Sequence, residues 1–342
     1  MVNRIRRGVA AILVLAATSA FGQFANAQGE FPTRGLTEIK VDSQVCTGWW
    51  RQASWKCEPI KVPAYMAVPS NPKGALVIVS HGSQGIDLHH RWYLNALAKR
   101  GFYAIGIDHF KPRNLRDLGR TGYVRTSVGA GGNALNMAID TMAVATWARN
   151  NPTFKDFKIG HMGESMGASV ARELNRPGMP NLLNEVLATQ TQPLDAYVAL
   201  YMGCFEKSST DKFIGKPVLL INGTADDDTP VATCRTFTKW ANDRGANMTL
   251  VEVPGAHHQF DSWYKLAYFG DIENQRNCAS QVDVPAGVYV DDLTGKTYPY
   301  NGEGFAQYRR DCIIRGAHAG SVTQAEGVGF DLWIQFFAEN LK

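Results

Sequence analysis

Short runs in which nearly every position is apolar alternate along the chain with longer stretches in which apolar residues return every three or four positions. The runs ALVIVS (75–80), YAIGID (103–108), KIGHM (158–162), AYVALY (196–201), PVLLIN (217–222) and MTLVEV (248–253) are β-rich. Several offer no polar face, as expected of strands in a parallel sheet that is covered on both sides. Helix-like stretches lie at 89–100, 134–150, 166–176 and 230–243, and in the last of these Val231, Cys234, Phe237 and Trp240 keep helical spacing. A final amphipathic stretch, 322–341, carries Phe330, Trp333, Ile334 and Phe337 on one stripe. This alternation predicts an α/β fold, a mostly parallel twisted sheet with helices on both faces. Ligands of such sheets collect at the carboxyl ends of the strands.

Three segments fall outside the alternation. Residues 1–27 begin with Arg4, Arg6 and Arg7, continue in an apolar run from Val9 to Ala20 and end on Ala25-Asn26-Ala27. A charged head, a short apolar middle and a small-x-small end predict a signal peptide, and the apolar run is too short to span a bilayer. Residues 28–60 form a Trp-rich extension containing CTGWWRQASWKC. Residues 262–320, rich in Tyr and Gly, read as an insertion within an α/β domain that covers 61–342. The aromatic side chains at its start, Trp263, Tyr264, Tyr268 and Phe269, are suited either to an apolar pocket or to a core.

Composition narrows the function classes. The chain has 342 residues, 45% hydrophobic and 19% charged, which suffices for one large core. Its net charge of +4 owes three units to the arginines of the leader, and without them 32 basic residues face 31 acidic ones. A near-neutral balance gives no footprint for nucleic acid or for anionic lipid. Six cysteines, Cys46, Cys57, Cys204, Cys234, Cys278 and Cys312, all follow the expected cleavage point. An even count in an exported chain favours disulfides, and nearest neighbours (46–57, 204–234, 278–312) are the expected pairs. No CxxC spacing calls for zinc or redox chemistry, and no cofactor or metal is expected.

The chemistry gathers where strands end. KIGHM runs directly into GESMGASVARELNR, so Gly163-Glu164-Ser165-Met166-Gly167 sets a G-x-S-x-G pattern between a strand and a helix. In that setting the glycines relieve a sharp turn that lifts the serine hydroxyl above the sheet. A serine in this role needs a base, and the base needs an orienting acid. Asp226, Asp227 and Asp228 follow PVLLIN, and His257 and His258 follow MTLVEV, in the order Ser, Asp, His that α/β-hydrolases use. Two other features carry less. Gly129-x-Gly131-x-x-Ala134 imitates a dinucleotide fingerprint but follows no apolar strand. His89 and His90 point about 100° apart on a helix and read as polar residues at its start.

The motifs VIVSHGSQG, AIGIDHFKPR, GHMGESMGA, YMGC, LLINGTADDDTP and PGAHHQFD together resemble the dienelactone hydrolase-like branch of the α/β-hydrolases, over about 61–261 and the terminal helix. The resemblance implies an α/β-hydrolase fold with Ser165 as nucleophile, Asp226 as acid and His258 as base. It implies backbone N–H donors to an oxyanion from Met166 and from Ser83 in the HGSQG loop, with His81 organising that loop. The family's namesake uses cysteine where this chain has Ser165, which turns the expectation from dienelactone to esters in general. The function expected is therefore an exported serine hydrolase, periplasmic or secreted, that cleaves small carboxylic esters through an acyl-enzyme. A serine peptidase or amidase on the same fold, or a catalytically silent binding protein, are the alternatives.

Overall fold

A computed structural model describes residues 31–48, 55–115, 131–209, 212–283, 285–322 and 329–342, so the leader lies outside it. Every apolar run of the sequence is a strand. In chain order, β1 spans Thr37–Thr47, β2 Lys56–Ala67, β3 Ala75–Ser80, β4 Tyr103–Ile107, β5 Lys158–Glu164, β6 Ala196–Leu200, β7 Glu206–Ser208, β8 Pro217–Gly223 and β9 Asn247–Val253. All but β7 form one sheet in the order β1-β2-β4-β3-β5-β6-β8-β9, parallel from β4 to β9 and antiparallel at the β1 edge.

Helices cover both faces, as the two-sided burial of β3 requires. Helix α1 spans Leu88–Lys99, α2 Ala134–Asn150, α3 Ser169–Leu174, α4 Met179–Val186 and α5 Val231–Asn242. On one face Met137, Ile139, Val170 and Phe237 pack against Ile78 and Leu220. On the other, Tyr93 and Leu97 of α1 meet Trp333 and Phe337 of the last helix, α7 (Phe330–Asn340). The α2 start is capped by Asn133, whose side chain accepts from the Asn136 N–H. Gly131 and Ala134 thus belong to a helix cap, and Gly129 lies outside the described residues. No described helix is long and apolar enough to cross a membrane.

The extension and the insertion are both more integrated than their composition announces. The 60/61 boundary falls inside β2, and β1 pairs with β2 along its full length, so Thr37–Thr47 and Lys56–Ala67 are the sheet's antiparallel edge. Cys46 and Cys57 face each other in that register and are bonded, Cα atoms 4.0 Å apart. The insertion supplies β10 (Ala267–Asn274), β11 (Ser280–Asp283), β12 (Val288–Asp291), β13 (Thr297–Pro299), helix α6 (Gly302–Cys312) and β14 (Ile314–Ala319). Strands β13-β12-β11 extend from β7, while β10 pairs with β14. Tyr289, Tyr298 and Tyr308 build a small core of their own around the Cys278–Cys312 disulfide. Of the four aromatic residues, Tyr264 is buried core, its hydroxyl donating to Asp87, whereas Tyr268 is exposed.

Candidate active site

Strand β5 ends on Glu164, and the next residue is forced into the left-handed region, with Ser165 at φ 50°. That backbone is costly for any residue with a Cβ and persists where the surroundings over-determine it. A side chain on either flanking glycine would collide with backbone: a Cβ on Gly163 would sit 2.2 Å from the Gly167 carbonyl oxygen, and one on Gly167 would sit 2.4 Å from that of Ser80. The turn therefore tolerates G-x-S-x-G and little else. Its carbonyls feed α3, with the Ala168 N–H donating to Ser165 and the Ser169 N–H to Met166.

Two loops from further along the chain meet this serine. Nε2 of His258 lies 3.0 Å from the Ser165 Oγ, and its Nδ1 lies 2.9 Å from Oδ2 of Asp226. Asp226 is itself fixed. Its Oδ1 accepts from the N–H groups of Asp228 and Thr229, and its Oδ2 accepts from the Thr229 hydroxyl. The three consecutive aspartates divide their work. Asp226 faces the ring's Nδ1, Asp228 stands 3.8 Å from Nε2, and Asp227 turns away to His318. The HGSQG loop after β3 passes beside the Ser165 side chain at Gly82, which places Ser83, half-buried, next along the same turn. Met166, on the other side, packs against Phe110 and Leu115.

A strained serine, an imidazole and a carboxylate at the carboxyl ends of β5, β9 and β8 agree with a family model that matches residues 62–269, that of the dienelactone hydrolase family. The chain belongs to that family. Its fold is similar to that of a dienelactone hydrolase-like promiscuous phosphotriesterase from metagenomic libraries, at 17% identity over 90% of this chain and 100% of that one, with a TM-score of 0.56. Similar too are a dienelactone hydrolase from Anabaena variabilis (18% identity, 66% and 88% covered, TM-score 0.44) and the butyrate-bound esterase Est2 of Thermogutta terrifontis (16%, 64% and 85%, TM-score 0.46). No curated protein matches the chain.

This dienelactone hydrolase-family chain buries charge beneath its turn. Glu164 reaches under the sheet edge, where Oε1 accepts from the Gly82 N–H at 3.1 Å and Oε2 from the Tyr201 hydroxyl at 2.7 Å. His90 Nε2 stands 3.0 Å from the same carboxylate, and its Nδ1 meets Asp87, the α1 cap. His89 and His90 do stand in the first turn of α1, where both are buried and partnered. Burial disfavours charge on both partners, but their mutual attraction outweighs it. His90 is pushed up to about 10, and Glu164 is held well below the usual carboxylate range. The imidazole of His258 follows the same logic: burial lowers it, yet Asp226, Asp228 and Glu164 together raise it to about 9. His81 goes the other way. Burial, with His109 and His90 nearby, keeps it neutral, so one ring nitrogen donates to the Gly82 carbonyl and the other accepts from the His109 N–H.

Glu164, His90, Thr229, Tyr201 and Gln259 escaped the linear reading. Tyr201 (φ 39°) lays its ring edge-on to His258 at 4.8 Å, and Gln259 (φ 60°) accepts from Gln84 of the HGSQG loop at 3.1 Å. One signal was available: a glutamate inside an otherwise apolar strand end demands a cationic partner when buried.

Proposed function

We propose that the protein is an exported serine hydrolase that cleaves carboxylic esters through an acyl-enzyme. The observation that carries this reading is the continuous line from Ser165 Oγ to His258 Nε2 (3.0 Å) and from Nδ1 to Asp226 Oδ2 (2.9 Å), anchored on a strained turn. Ser165 attacks the ester carbonyl carbon while His258, in its neutral form, takes its proton. The carbonyl oxygen, now anionic, faces the backbone N–H groups of Met166 and Ser83, donors that are each worth on the order of 10²–10³ in rate in such sites. Collapse breaks the bond to the alcohol, which leaves with the proton from His258. A water molecule, deprotonated by the same imidazole, then releases the acid. Asp226 holds the ring with Nδ1 protonated and stabilises the cation between the two proton transfers. A leader of signal-peptide pattern and three disulfides support export to the periplasm or beyond.

A fluorophosphonate probe tests the nucleophile. It is expected to label the wild type and to leave Ser165→Ala unlabelled, and no labelling of folded wild type would leave the silent binding protein as the reading. A p-nitrophenyl ester panel set against the matching anilides separates esterase from amidase, with hydrolysis of the esters alone expected.

A further inference from the structure

Beside the serine site, on its outer side, stands a second constellation with different donors. One nitrogen of His257, one of His318 and one carboxylate oxygen of Asp227 all lie within 4.8 Å of one another. The three residues come from the loop after β9, from β14 of the insertion and from the loop after β8. From these observations we infer that Asp227, His257 and His318 form a binding site for a first-row divalent metal ion, of which zinc is the representative.

The donor chemistry selects the ion. Two imidazoles and one carboxylate suit zinc and its neighbours, whereas calcium and magnesium take oxygen ligands. Part of the orientation is already provided. Oδ1 of Asp227 accepts from the backbone N–H of His318 at 2.8 Å, which leaves Oδ2 turned toward the His318 ring at 2.9 Å. An outer hydrogen bond of this kind is how metal-binding carboxylates are aimed. The segments beneath are also tied: Asn274 donates to the carbonyls of both Asp227 and Gly316, and the Gly320 N–H donates to that of His258.

A simple Asp227–His318 hydrogen-bonded pair explains two members of the set but not the third. Nδ1 of His257 is buried with no hydrogen-bond partner among the described residues, and its ring lies 5.3 Å from that of His318. Bond lengths near 2.0–2.2 Å need donors roughly 3.3 Å apart, so the set has to draw in by about 1.5 Å. The side chains of His318 and Asp227 are 41% and 26% exposed, which leaves them room to move and leaves outer coordination positions to water. Each ligand adjoins a segment of the serine site, at Asp226, at His258 and at the Ala319 bridge to His258, so the ion would cross-link the insertion to the two loops. This inference does not rest on the esterase reading.

Calorimetric titration of chelator-treated full-length protein with zinc tests it. Expected are one zinc per chain with a micromolar dissociation constant, a rise in Tm on binding, and a weakening of at least tenfold in each of His257→Ala, His318→Ala and Asp227→Asn. A cobalt(II) adduct should show absorption bands of nitrogen and oxygen ligation that disappear in His318→Ala. Because His257 borders His258, His318→Gln on the partly exposed strand serves as a second variant should His257→Ala misfold. Absence of saturable zinc binding overturns the site, and so does undiminished binding by folded His318→Ala and His318→Gln.

Discussion

Three neighbouring aspartates of identical chemistry end in three different environments, and position alone separates them. Asp226 is enclosed by two N–H donors and the Thr229 hydroxyl with its second oxygen on His258. Asp228 stands near the opposite nitrogen of the ring, and Asp227 serves His318. Replacing Asp226 by Asn presents an N–H₂ or a weaker acceptor to Nδ1 and releases the tautomer that Nε2 needs to act as a base. In a serine protease with a Ser-His-Asp triad the equivalent change costs on the order of 10⁴ in kcat. Asp226→Asn should therefore lower ester hydrolysis by about that factor, against tenfold or less for Asp228→Asn, with both variants measured on one p-nitrophenyl ester. Equal losses would mean that the acid has been misassigned.

At the level of elements, a buried ion pair between α1 and β5 lies directly under the serine turn. Glu164 at the end of β5 bridges His90 of α1, the Gly82 N–H of the loop after β3 and Tyr201 after β6. One carboxylate thus joins four elements under the site. Removing one partner of a buried pair leaves the other uncompensated and costs about 3–5 kcal/mol. Glu164→Gln should destabilise the fold by that order in denaturant unfolding. The pair also dictates a pH signature. His90, raised to about 10, contributes stability that is complete below its unfolded value near 6.5 and is lost as pH climbs toward 10. Glu164, depressed, contributes above its unfolded value and loses that contribution as pH falls. Tm should accordingly fall on the alkaline side from about pH 6.5 upward, and the slope should flatten in Glu164→Gln. An identical slope in the variant would place the titration elsewhere.

At the scale of the whole molecule, the insertion and the N-terminal extension fasten onto the sheet at opposite places. The extension adds β1 to one edge, and the insertion lays β14 against the histidine loop. Between them Cys204–Cys234 ties the segment after β6 to the first turn of α5, directly behind the aspartate loop. Closing a loop with a sequence separation of 30 stabilises by about 3–4 kcal/mol in the chain-entropy account. The double variant Cys204→Ala/Cys234→Ala should lose that order of stability in urea unfolding, with ester hydrolysis at 25 °C retained. Unchanged stability would show the bridge to be incidental to the fold.

The core strands, the G-x-S-x-G turn, and the order of serine, aspartate and histidine were legible in the linear chain. Apolar runs and glycine spacing are local consequences of burial and backbone sterics, and Gly163 and Gly167 announce their turn because no other residue fits there. The pairing of cysteines was legible as well, since the nearest partners are those whose loops close most readily. Only the folded chain decided that Glu164 and His90 neutralise each other under the imidazole, and that His318 arrives beside His257 from 61 positions away. Such meetings depend on how the strands are ordered and where a loop returns. Electrostatic partners found across a sheet leave no periodicity in the sequence that brings them together.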